Sequence, residues 1–137
     1  MNKVKALIEF EISDDDLADI ICGAYEGGQV GMGCWFCSTE VIRNDDLGIT
    51  SLTGFDFEMQ EGDDVPEMIE AHVKRYGSLW VINKETVLKG IPLALADPNC
   101  SRYMRQAFGS ELNLGAMDCG DYDTIIQFGL FGKAVYG

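Results

Sequence analysis

Two thiols three residues apart, Cys34 and Cys37, are the first residues of this 137-residue chain whose spacing could do chemistry. A Cys-x-x-Cys pair can put two thiolates on one metal ion or close a redox disulfide. A tetrahedral zinc site needs two more ligands, and Cys22, His72, Cys100 and Cys119 are the residues that could supply them. No second Cys-x-x-Cys follows, and no strand-then-helix pattern of the thioredoxin kind surrounds this one. The five cysteines therefore read as reduced, small hydrophobes, and neither a metal nor a cofactor is expected. His72 is the single histidine. Nucleophilic catalysis would need a Ser or Cys and an orienting carboxylate assembled around it. It falls on the inward side of a helical pattern instead, which reads as a packed residue. Gln127 lies among Ile125, Ile126, Phe128 and Leu130, and a buried amide needs partners, either loop backbone or a ligand. Glycines at 27, 28, 31 and 33 follow a helix and precede a strand, the reverse of a phosphate-cradling loop. They read as a helix stop and a loop able to cover a ligand. Trp35, Trp80 and Gln127 around that loop form a candidate pocket for a nucleotide signal or another metabolite. No complete catalytic motif is present, so the expectation is a protein that binds rather than an enzyme.

The carboxylates are more informative by position than by pairing. The chain carries 10 Lys and Arg against 23 Asp and Glu, net −13. Residues 1–70 hold 17 acids and three bases, −14, while residues 71–137 hold six acids and seven bases, +1. An even solubilising coat would not divide that way. Such a field disfavours direct binding to nucleic acid or to an anionic membrane. It suits a basic partner.

These residues need elements to hold them. Residues 3–12 alternate apolar and polar, with Val4, Ala6, Ile8, Phe10 and Ile12 on one face, a strand with Glu9 and Glu11 outward. Ser13 caps a helix with Asp14, Asp15 and Asp16 in its first turn and Leu17, Ile20, Ile21, Ala24 and Tyr25 as its apolar stripe. Gly27-Gly28 ends it. A strand is predicted near 35–42, a turn at Asn44-Asp45-Asp46, and a second strand through Phe55, Phe57 and Met59 with Asp56 and Glu58 outward. Residues two apart on a strand are about 6.6 Å apart, so these acids would form a regular row. A turn at Gly62-Asp63-Asp64 leads to a helix from Val65 to Tyr76, with Val65, Met68, Ile69, His72, Val73 and Tyr76 inward. Then come a short strand at 79–82, a helix from Lys84 to about Ala94 that Pro92 should kink or stop, and a helical stretch at 100–108. An irregular 109–120 precedes a last helix capped by Asp121, and 134–136 read as a short strand. The length suits one domain, residues 1–137, with no room for a second core. Early strands and late helices give an α+β fold, a small mainly antiparallel sheet with helices packed on one face. No run of 18 apolar residues and no signal-peptide pattern stand in the sequence, so a cytoplasmic location is expected.

Several stretches resemble a group of small bacteriophage- and prophage-encoded proteins, largely from Gram-positive hosts. The resemblance lies in Ser13 to Ile21, in Ala24-Tyr25-Glu26-Gly27-Gly28 with Cys34-Trp35, in Glu85 to Ile91, and most strongly in Asp121 to Gly137. It covers about a third of the chain and departs from the group over 38–78. Cys34 stands where the group has an aromatic before the tryptophan. The resemblance carries no catalytic residue over. It implies a mobile-element source, and small acidic proteins of that source resemble anti-CRISPR and other anti-defence inhibitors in size and charge. The expected function is thus inhibition of a bacterial defence effector in the host cytoplasm. An acidic surface would occupy its basic nucleic-acid channel, and the residues expected to carry it are Asp14, Asp15, Asp16, Asp45, Asp46, Asp56, Glu58, Asp63 and Asp64.

Overall fold

A computed structural model describes residues 11–56 and 64–136. The strand expected at 3–12 therefore lies almost wholly outside the described residues, as do Phe57, Glu58, Met59 and Asp63. The rest follows the order α1 (Asp14–Glu26), β1 (Phe36–Asn44), β2 (Gly48–Asp56), α2 (Val65–Tyr76), β3 (Trp80–Ile82), α3 (Lys84–Ala96), α4 (Arg102–Ala107) and α5 (Cys119–Phe131). The class is α+β. The sheet is antiparallel in the order β1-β2-β3, with Val41 opposite Leu52 and Leu52 opposite Ile82.

Local chemistry explains most element starts. Ser13 accepts from the Asp16 N–H while the Asp16 carboxylate accepts from the Ser13 N–H, a reciprocal capping box. Asn44 turns the β1–β2 hairpin by accepting from the Asp46 and Leu47 N–H groups. Asp64 caps α2 and Asn83 caps α3. Pro92 sits inside α3 without ending it. It is exposed, and so is Leu88, whose carbonyl loses the proline's missing N–H and can turn to water.

The core is one cluster built from α1, the sheet, α3 and α5, centred on Ile20, Trp35, Leu52, Ile82, Val87 and Ile126. α5 is enclosed on most sides: Ile125, Ile126, Gln127, Phe128 and Gly129 are all buried. Gly90 of α3 faces the Ile125 carbonyl of α5, and Gly129 faces the Thr86 carbonyl of α3. A Cβ at either glycine would collide with backbone, so these two residues set how closely α3 and α5 approach.

Four expectations are corrected. The cap of α5 is Asp118, not Asp121; Asp121 is the third helical residue and closes the capping box onto the Asp118 N–H. Residues 134–136 form no strand, because the side chain of Gln127 takes the hydrogen bonds a ladder would have made. Of the inward stripe expected on α2, only His72 is buried, while Val65, Val73 and Tyr76 are exposed. The second strand starts seven residues before Phe55, at Gly48, and its terminal Asp56 points into the protein instead of outward.

Candidate functional site

The first turn of α1, the start of α3 and the hairpin turn converge on one groove of about 290 Å3. Leu17, Ile21 and Leu47 contribute its apolar walls, and Asp14, Glu85 and Lys84 its charges. Lys84 is its one lining cation among the described residues, reaching Asp14 at 4.0 Å with both side chains more than half exposed. Asp15 is exposed beside Asp14, and Asp45 and Asp46 are exposed beside Leu47. The fold thus brings together two acidic clusters some thirty residues apart in sequence. The other ion pair among the described residues, Arg43 with Glu26 at 3.9 Å, is also exposed. Exposed pairs of this kind offset little of the surrounding negative charge.

The remaining acids of the expected surface divide by role. Asp16 and Asp64 point their carboxylates at backbone N–H groups as part of helix starts. Asp56 is buried and its carboxylate accepts from the Tyr136 hydroxyl at 3.1 Å. It therefore leaves the candidate surface, because a strand end that packs under the C-terminal segment is turned from water. Glu58 and Asp63 lie outside the described residues.

Trp35 and Gln127 do come together, but as a closed polar clasp rather than an open pocket. The Trp35 indole N–H donates to Asp123 Oδ1 at 2.8 Å, and Gln127 Nε2 donates to Asp123 Oδ2 at 2.9 Å. The same Nε2 donates to the Tyr136 carbonyl at 3.0 Å, and Gln127 Oε1 accepts from the Val135 and Tyr136 N–H groups, each at 2.8 Å. Both amide protons and both lone pairs of Gln127 are thereby used. The Tyr136 ring stacks on Trp35 with centroids 5.0 Å apart and planes 4° apart. Trp35 is fully buried, and Trp80 packs edge-on against it. The candidate ligand pocket at Trp35, Trp80 and Gln127 is filled by the chain's own C-terminal segment. Burial pushes the Asp123 carboxyl above its usual range, and the bonds from Trp35 and Gln127 pull it partly back. Asp123, Tyr136 and Asp118 were not singled out in the sequence. The signal for Asp123 is its place four residues before Gln127 on a helix otherwise apolar on that side.

His72 is 1% exposed and touches Tyr76 and Trp80. Its Nδ1 accepts from the Asp56 backbone N–H at 3.1 Å, which places the proton of the neutral ring on Nε2. Nε2 has no well-formed hydrogen bond among the described residues, although the backbone of Ser78 is close enough to favour the charged ring. Burial lowers the His72 pKa, and Asp56 and Ser78 act the other way. With Nδ1 committed and Nε2 enclosed, the ring is a packed residue and not a base offered to solvent. Cys34 and Cys37 are half-buried thiols, Cys34 donating to the Gly31 carbonyl. Among the described residues no three Cys, His, Asp or Glu side chains gather as a metal site, and no helix is long and apolar enough to cross a membrane. Comparison with protein-family models, curated proteins and solved structures finds no match.

Proposed function

We propose that the protein is a non-enzymatic inhibitor. It would dock its acidic groove end onto a basic, nucleic-acid-binding protein, in the manner of a phage protein that blocks a CRISPR effector in the bacterial cytoplasm. The observation that carries this reading is one groove lined by Asp14 and Glu85, with Asp15, Asp45 and Asp46 exposed next to its lining residues and, among the described residues, Lys84 as its single lining cation. Acids held on a helix start and a tight turn are fixed in position, so they can oppose Lys and Arg side chains in a constant pattern. A surface of that kind associates fast and weakens steeply with salt. The apolar walls of Leu17, Ile21 and Leu47 add area on which the aliphatic stems of basic side chains can pack.

The test is inhibition of DNA binding by a purified CRISPR effector, with the wild type and with Asp14, Asp15, Asp45 and Asp46 all changed to Lys. The expected result is loss of inhibition by the variant, and inhibition by the wild type that declines between about 50 and about 300 mM salt, over which the screening length shortens by about 2.4-fold. Equal inhibition by a correctly folded variant overturns the mechanism.

A further inference from the structure

A second cavity, of about 350 Å3, lies against α5, lined also by the end of α3, the start of α4 and the segment after α5. Its volume is in the range of small-molecule sites. The hydrogen-bond inventory of its lining is one-sided. The Ser101 hydroxyl gives its proton to Asp121 Oδ1 at 2.8 Å, and the Thr124 hydroxyl gives its proton to the Gly120 carbonyl at 2.9 Å. The Cys100 thiol points its proton at the Ser101 carbonyl at 3.6 Å. Asp121 and Asp97 are carboxylates, acceptors only. Asp121 is 9% exposed, and among the described residues one oxygen takes the Ser101 hydroxyl and the other the Asp118 N–H, so each keeps a lone pair with respect to them. Asp97 takes the Asn99 N–H at 2.7 Å. The side-chain donors that remain in the lining among the described residues, the Lys133 ammonium and the Asn99 amide, belong to exposed residues. Met104 and Phe128 supply apolar wall.

A cavity whose inner polar atoms have spent their protons, with two carboxylates among them, is complementary to a ligand that brings its own. We propose that this cavity binds a small amino acid, its ammonium group facing Asp97, Asp121 and the Thr124 oxygen. The hydrocarbon part lies against Met104 and Phe128, and the carboxylate reaches the Lys133 ammonium. An α-amino acid and an ω-amino acid share this chemistry and differ in the spacing of their charges. The site is separate from the acidic groove, so its occupancy and the inhibitor reading stand or fall independently.

The experiment is titration of the full chain with L-norleucine, 6-aminohexanoate, pentylammonium and hexanoate. It would be followed by the methyl resonance of Met104 and the amide resonances of Thr124 and Asp97, with calorimetry for affinity. Saturable shifts at these resonances are expected with at least one of the two amino acids, weaker binding of pentylammonium, and none of hexanoate. The stronger of the two amino acids fixes the spacing. Asp97→Asn retains the oxygen that accepts from Asn99 and removes the charge; it should weaken binding about ten-fold, the loss of one charge-assisted contact. Ala134→Trp, at an exposed lining position, should block binding while leaving the fold intact. Hexanoate binding as well as the amino acids, or no saturable shift with either amino acid up to 10 mM (roughly −2.7 kcal/mol or weaker on the standard affinity scale), overturns the proposal.

Discussion

His72 gives the fold an acid-sensitive point that can be isolated experimentally. It is the only histidine in the chain, so between the carboxylate range and the thiol range no other side chain of ordinary pKa titrates. In the folded protein its pKa is lowered, first by burial, against the raising effects of Asp56 and Ser78. In the unfolded chain it titrates at about 6.5. The unfolded state therefore binds the proton first as pH falls, and the stabilising contribution, present above about pH 6.5, is lost on acidification. Protonation of Nδ1 would also break the bond from the Asp56 N–H, the contact that ties α2 to the end of β2. One proton gives a slope of at most about 1.4 kcal/mol per pH unit, so from pH 7.5 to 5.5 the loss is at most about 1.4 kcal/mol. For a domain of this size that is roughly 4–6 °C in Tm. The assay is urea unfolding at pH 7.5, 6.5 and 5.5, comparing the wild type with His72→Gln, whose carboxylates titrate alike but whose ring is gone. The wild type should lose stability relative to the variant as pH falls, and should take up more protons on unfolding at pH 5.5 than the variant does, by at most about one. Parallel pH profiles for the two proteins would refute the argument, because the ring would then have the same affinity for its proton folded and unfolded.

The C-terminal clasp and the helix crossing supply two further tests. Gln127→Met removes all four hydrogen bonds of the amide and leaves Asp123 with the Trp35 N–H alone. A loss of about 3–5 kcal/mol is expected in urea unfolding, with a change in tryptophan fluorescence as Tyr136 leaves the Trp35 ring. Gly90→Ala drives a Cβ into the Ile125 carbonyl and should cost about 3 kcal/mol or more, while Gly77→Ala, whose Cβ meets nothing, should cost only the strain of its positive φ, about 1 kcal/mol.

Features set by neighbours in sequence were legible there, and features set by pairing across the fold were not. The Ser13 capping box, the Asn44 turn and the α3 start at Asn83 each depend on groups within three or four residues, and each forms as the sequence suggests. The α5 start was misplaced because Asp118 and Asp121 are both good caps. In the fold Asp118 is the cap, and Asp121 at the third helical position closes the box and also accepts from Ser101, twenty positions away. Pro92 looks like a helix breaker in the local pattern, but its cost is reduced where the orphaned carbonyl can turn to water, and exposure is not written in such a pattern. The Gly90 and Gly129 contacts depend on which helices cross and at what height. Asp56 illustrates the same limit for the candidate site. Alternation put it on an outer face with Glu58, but its direction is decided by Tyr136, eighty residues on.

The acidic end can be examined without its partner, because its charges act on the protein that carries them. Asp14, Asp15, Asp45, Asp46 and Glu85 are not balanced by Lys84, and two like charges about 7 Å apart repel by about 0.6 kcal/mol in water. Salt shortens the screening length from about 30 Å at 0.01 M to about 8 Å at 0.15 M, which relaxes much of this repulsion. The free protein should therefore become more stable as sodium chloride is added. The response should be blunted when Asp14, Asp15, Asp45 and Asp46 are changed to Asn. Binding to a basic partner must respond to salt in the opposite sense, since there the same carboxylates face cations. A surface that only keeps the protein dissolved predicts the first response without the second. A free protein that loses stability in moderate salt would mean that its exposed pairs, Lys84 with Asp14 and Arg43 with Glu26, outweigh the repulsion. The groove end would then be electrostatically satisfied by its own chain and would have little reason to seek a basic partner.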